Sequence, residues 1–274
     1  MFKHLLFLIL SSVVFQVSFA QRIPDPRMEK KFKEKAAKRE RINEILRHEE
    51  EGGAFFKKHT LFGLAMNHDG YSVLFERGKS KSAYNSTIFQ LELSEKQHVK
   101  EQKQTNVAQD FGFFFFNRPF VYAKQNIFYQ AKLGLGKQIM IGGKGNKNGV
   151  GVYAVFIGGF SAGLARPYYL DVYDDIEVVK MKYSEADRNL FLDPTRIVGG
   201  TGLRKGWNEM KFNPGVYAKT GLRFDWGRFN QVVSALEFGF SFDYYSQQVV
   251  QMVDVQGRNF FPTGYVGLVF GNRK

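Results

Sequence analysis

A base beside a nucleophile is the smallest unit of hydrolytic chemistry, and this sequence offers few places for one. His68 precedes Asp69, His98 stands in a polar stretch, and Asp171, Asp174, Asp175 and Ser184 lie further on. A hydrolase built from them needs a histidine within hydrogen-bond reach of a serine or an aspartate. Neighbours on a turn point apart, and His68-Asp69-Gly70 is itself good turn chemistry, so this pair reads as a turn. No ligand spacing joins His98 to Asp174, Asp175 and Glu177, so no metal or other cofactor is expected. Gly142 to Gly149 lacks the Gly-Lys-Ser/Thr ending of a phosphate loop, and Gly199-Gly200-Thr201-Gly202 fails the same test. The chain has no cysteine, which excludes a thiol nucleophile, a thiolate metal site, a disulfide framework and a lipid-modified cysteine. The expectation is a protein that is not an enzyme.

More informative are charges that alternate with large apolar residues. In Gly215 to Tyr244, Leu236, Phe238, Phe240 and Phe242 share one parity while Glu237 and Asp243 share the other. Strand side chains point to opposite faces with period two, so one face is apolar and the other carries charge. The preceding arm places Lys219 and Arg223 on its polar face, and Glu76, Glu92 and Lys132 occupy the same kind of position in earlier segments. A soluble sandwich or lipocalin-type barrel turns its apolar face inward. A membrane barrel turns it toward lipid and keeps the charges in the lumen. On the second reading Glu76, Glu92, Lys132, Lys219, Arg223, Glu237 and Asp243 form a charge network in the lumen. Leu236, Phe238, Phe240, Phe242, Val266, Leu268 and Phe270 then face lipid.

The elements that must position these residues are eight period-two segments. They run over Thr60–Asn67, Tyr71–Lys79, Thr87–Ser94, Ile127–Lys137, Val152–Leu164, Gly215–Asp225, Gln231–Tyr244 and Phe260–Phe270. Gly149 to Ala165 carries no charge, but its five glycines and its length speak against a membrane helix. The links at 80–86, 138–149 and 226–230 are short or rich in Gly, Asn and Lys. Those at 95–126, 166–214 and 245–259 are long. Short turns on one rim and long loops on the other, with an even strand number, describe an outer-membrane barrel with both termini in the periplasm. The fold expected is all-β: an eight-stranded antiparallel up-and-down transmembrane barrel. Its lumen is wide enough only for side chains to fill. Phe113 to Phe116, four phenylalanines in the first long loop, read as a strand extension or rim packing; an interface anchor or partner surface is the functional alternative.

Residues 1–20 have the basic start, apolar run and small-residue ending of a signal peptide. Residues 21–52 form a charged helical arm, and 53–274 the barrel. The net charge of +13 fits either general solubility or an acidic partner or location. Export argues against nucleic acid, while phosphate-bearing lipid headgroups are attracted by the same Coulomb term.

Gly52-Gly53-Ala54-Phe55-Phe56, His59-Thr60-Leu61-Phe62-Gly63-Leu64 and Tyr71-Ser72-Val73-Leu74-Phe75-Glu76-Arg77-Gly78-Lys79 resemble the small outer-membrane β-barrels of Bacteroidota-type Gram-negative envelopes. The closing Gly264-Tyr265-Val266-Gly267-Leu268-Val269-Phe270 resembles a barrel-assembly signal, departing from it because Gly271 to Lys274 follow. The resemblance implies location in the cell outer membrane and insertion by the barrel-assembly machinery. It further implies contact with outer-membrane lipids including lipopolysaccharide, and a place beside protein partners in secretion or outer-membrane assembly. The function expected is a non-enzymatic accessory or scaffold subunit of such a machine. A barrel enzyme acting on lipid or peptide at the outer rim, or a soluble periplasmic lipocalin-like carrier, are the alternatives.

Overall fold

The computed structural model describes residues 31–40, 43, 57–82, 84–110, 113–144, 149–175, 177–227 and 232–274. The signal peptide read over 1–20 lies outside these residues, as does most of the arm read over 21–52. Residues 31–40 of the arm are helical and exposed, as a segment of Lys, Arg and Glu with a thin apolar stripe should be. They belong to a unit, residues 1–54, that is separate from the unit of residues 55–274. No helix among the described residues is long and apolar enough to cross a membrane.

The second unit is a closed antiparallel barrel of eight strands. They are β1 (Lys58–Asn67), β2 (Gly70–Ser80), β3 (Asn85–Lys96), β4 (Asn126–Gly142), β5 (Gly151–Pro167), β6 (Lys211–Asp225), β7 (Val232–Val249) and β8 (Arg258–Arg273). Each pairs with its neighbours in sequence, and β8 closes on β1 through His59↔Arg273 to Asn67↔Tyr265. Closure leaves no sheet edge in the barrel. All eight segments legible as alternating strands are present, several of them longer than the pattern alone indicates. Lys211 to Pro214 belongs to β6, with Pro214 opposite Ala162. β7 runs five residues beyond Tyr244, through a register shift. At the tight turn between β1 and β2, Gly70 has φ 150°, and a Cβ there would collide with the carbonyl oxygen of Glu95. Glycine is required at that corner.

The face assignment follows the alternation. Phe62, Leu64, Val73, Leu133, Leu135, Phe156, Phe160 and Val216 are exposed on the barrel's exterior, together with Phe238, Phe240, Phe242, Val266, Leu268 and Phe270. Leu236 shares their face and is half-buried.

The long connections are not open loops. Tyr169–Asp174, Glu177–Lys182 and Ile197–Gly200 form a three-stranded sheet, and Lys103–Gln104 pairs with Phe120–Val121. Phe120, Leu170, Val172, Phe191, Ile197 and Val253 pack as one buried cluster drawn from all three long connections. This is a second small core outside the barrel, here called the cap. Phe113–Phe116 is a strand hydrogen-bonded to Val107–Asp110 as a hairpin within the first connection.

Candidate functional site

The lumen is built by the inward parity of all eight strands. Glu76 and Glu237 flank Arg223, whose Nη2 lies 2.7 Å from Glu76 Oε2 and 2.6 Å from Glu237 Oε2. Lys219 Nζ stands 3.5 Å from Glu237 Oε1 and 3.0 Å from Glu92 Oε2. Lys132 Nζ then stands 3.6 Å from Glu92 Oε1 and 2.7 Å from Asp243 Oδ1. The structure thus joins the seven charges read from the sequence into one chain of alternating sign: Glu76, Arg223, Glu237, Lys219, Glu92, Lys132, Asp243. All seven are buried. A buried ion pair holds only when its remaining donors and acceptors are also engaged. Here Tyr265 donates to Glu237 at 2.9 Å, Arg223 donates to Gln138 at 3.1 Å, and His59 Nε2 lies 3.1 Å from Glu76.

Acids outnumber bases by one in this chain, and both lumen ends add further pairs. Toward the long connections Lys96 donates to both oxygens of Asp69 at 2.8 Å. At the other end Asp225 is shared by Arg273 at 2.9 Å and Lys144 at 3.5 Å.

The network is also bracketed by apolar side chains that point inward. Phe128, Tyr245, Val249 and Phe261 form a buried cluster on the side of the long connections, with Phe128 and Phe261 stacked at 5.5 Å. Leu61, Val233, Ala235 and Val269 form another near the termini. Room for the larger rings comes from glycines: a Cβ on Gly134 would strike the Tyr217 hydroxyl, and one on Gly221 the Tyr265 hydroxyl. These plugs lie on the parity that also carries the charges, so a rule placing polar residues inside and apolar ones outside passes over them. The signal available was a large residue and a glycine on strands two apart in the barrel order.

The enzymatic candidates take structural places. His68 Nδ1 accepts from the Gly264 N–H at 3.2 Å, and the His68 N–H donates to the Gly264 carbonyl at 3.1 Å, extending the β1–β8 pairing. Asp69, 3.9 Å from His68, is engaged by Lys96 instead. His98 Nδ1 accepts from the Lys100 N–H at 3.2 Å. Burial, with Arg258 nearby, holds its imidazolium pKa below the ordinary histidine value. Asp171 accepts from the Thr201 hydroxyl at 2.5 Å, and the Asp187 N–H donates to the Ser184 carbonyl. Among the described residues no group of three or more His, Asp or Glu is arranged to hold a metal.

Polar contacts bind the cap into one body. Lys124 and Glu101 form a buried pair at 2.6 Å, Tyr122 donates to the Leu192 carbonyl at 2.9 Å, and Asn106 to that of Ile197 at 2.6 Å. The Val253 N–H donates to the Ala123 carbonyl, and the Gln125 N–H to that of Gln251, both at 2.8 Å. On its exposed side Arg188 forks onto both oxygens of Asp254 at 2.7 and 2.6 Å, which raises the arginine pKa further. Where β5 leaves the barrel, the Arg166 guanidinium lies 4.7 Å from the Trp207 ring centroid and 5.6 Å from that of Tyr129. The cap therefore has its own core, ion pairs and cation–π contacts.

No family model matches the sequence, and no curated protein does either. Among solved structures, the chain is similar to Ail, the attachment invasion locus protein of Yersinia pestis, determined in complex with the heparin analogue sucrose octasulfate. The TM-score is 0.33 at 8% identity, covering 79% of this chain and 95% of that one. Neisserial surface protein A matches with a TM-score of 0.35 at 9% identity, covering 79% of this chain and 94% of that one. Likeness at this level says nothing of function.

Proposed function

We propose that the chain is an integral outer-membrane barrel that conducts nothing and serves as a non-enzymatic accessory or scaffold subunit of an envelope machine. On this reading it engages its partners through the cap and the charged N-terminal arm. The observation that carries the reading is the barrel's inverted polarity together with a folded cap. An exterior of Phe, Leu and Val suits hydrocarbon, and a lumen of mutually paired charges needs no water. Sealing the lumen removes the use a pore would have. A carrier would need an apolar lumen with Glu237 and Asp243 in water, whereas both are 0% exposed inside it. Loops stitched around a shared core present a fixed surface, which lowers the ordering cost of binding another protein.

The test is fractionation of native membranes, gentle detergent extraction and identification of what co-purifies. The expected result is recovery in the outer membrane with stoichiometric protein partners. Phe191→Ala, which opens the cap core and costs about 3–5 kcal/mol there, should release a cap-bound partner while the barrel stays inserted. Recovery of the native chain from the soluble periplasm, or from the membrane without partners, would overturn the reading.

A further inference from the structure

The positive charge of the barrel unit is unevenly placed. Around the long connections acids and bases nearly balance, and in the lumen they pair. At the rim bearing the termini and the short turns, Lys57, Lys58, Arg77, Lys79, Lys81, Lys137 and Lys274 are all exposed. The described residues of that rim supply one acid outside the lumen chain, Asp225, and it is buried and taken by Arg273 and Lys144.

Strand parity sets where these cations point. Lys58, Arg77, Lys79, Lys137 and Lys274 share the outward parity of Phe62, Phe75, Leu135 and Phe270, so each ends an apolar face instead of entering the lumen. They are also neighbours. Lys58 is directly opposite Lys79, and it exchanges backbone hydrogen bonds with Lys274 at 2.9 and 2.8 Å. Thr87 separates Lys79 from Lys137 in the same row. One step further into the apolar face the row reads Asn272, Thr60, Arg77, Phe89, and the next reads Phe270, Phe62, Phe75, Leu91. Like charges directly opposite in a sheet are destabilising unless something neutralises them. No acid among the described residues of the barrel unit lies within ion-pair distance of these five.

We propose that the outward face of this rim, across β8, β1, β2 and β4, binds the headgroups of anionic phospholipids in the leaflet on the side of the termini. Headgroup phosphates sit where an apolar band gives way to water, at the position the lysine row occupies. Long lysine stems reach that level while their methylenes stay on the apolar surface. The inference rests on the membrane-barrel reading and adds to it the leaflet, the residues and the lipid charge. It concerns phospholipid at the terminal rim, away from the cap.

The test uses the full-length folded protein in nanodiscs containing equal phosphatidylglycerol and phosphatidylcholine. Native mass spectrometry of the released protein reads the lipids retained. The native chain should keep phosphatidylglycerol over phosphatidylcholine by about tenfold, given the attraction each lysine feels at an anionic surface. The triple variant Lys58→Gln, Lys79→Gln, Lys274→Gln should lose the preference, and Lys103→Gln, Lys180→Gln, Arg204→Gln, an equal charge change on the other rim, should keep it. As a second measurement, the native protein should resist urea to a higher concentration in phosphatidylglycerol than in phosphatidylcholine vesicles, and the terminal-rim variant should not. Equal retention of both lipids by an inserted native barrel, or a preference that survives in the terminal-rim variant, would overturn this inference alone. Failure to insert into either bilayer would overturn the membrane-barrel reading itself.

Discussion

At the scale of single residues, Arg223 is the side chain on which most of the lumen depends. Its guanidinium neutralises two carboxylates, Glu76 and Glu237, that are both 0% exposed. Arg223→Met would leave two buried carboxylates facing each other, and removing one partner of a buried pair costs about 3–5 kcal/mol. The expected outcome is a markedly lower urea midpoint for loss of the heat-modifiable folded band on gels. Arg223→Lys should recover part of the loss, because an ammonium keeps the charge without the fork that engages two carboxylates at once. His98 makes a different prediction. Its Nδ1 must be unprotonated to accept from the Lys100 N–H, and burial lowers its pKa below the unfolded value. Its contribution is therefore present above the unfolded pKa of about 6.5 and is lost as pH falls below that. Hydrogen exchange at the Lys100 amide should quicken between pH 7.5 and 5.5, relative to the intrinsic rate at each pH. His98→Asn should flatten that dependence, and an unchanged profile in the variant would assign the effect to another group.

At the scale of elements, the alternation that specified the strands also specifies what each face tolerates. Phe238 is outward and Glu237 is inward on the same strand. Phe238→Arg places a charge on the lipid face at a cost of about 2–4 kcal/mol near mid-membrane, and it should block insertion into vesicles. Glu237→Gln should insert but unfold at lower urea, since Arg223, Lys219 and Tyr265 all converge on that carboxylate. If the two variants fail at the same step, the face assignment is wrong. The eight strands were legible because a two-residue period survives wherever one face is polar. The seven charges were legible because ionised side chains recurring at alternate positions stand out against an apolar opposite parity. The packing of Phe128 and Tyr245 into a plug was not, since it depends on space left by Gly163 on β5, a strand beside that of Phe128 but far in sequence from Tyr245. The cap was illegible for a related reason. Its core draws Phe120, Leu170 and Val253 from three separate connections, and none of those segments has enough apolar period to announce a core alone.

At the scale of the whole molecule, the lumen is closed three times over by unlike means. Aromatic rings fill it toward the cap, an ion chain fills its middle, and Leu61, Val233, Ala235 and Val269 fill it near the termini. An eight-stranded barrel is only wide enough for side chains to fill, so each of these layers should exclude a continuous column of water by itself. The native protein should therefore give no steady conductance in planar bilayers, and Phe128→Ala, which thins the aromatic layer, should remain silent. Leakage should appear only when layers are removed together, as in Phe128→Ala combined with Arg223→Ala and Leu61→Ala. A steady current through the Phe128→Ala barrel would mean that the ion chain conducts when uncapped. The paired charges would then be a gated path, and the scaffold reading, which depends on a lumen with no transport to perform, would give way to a channel.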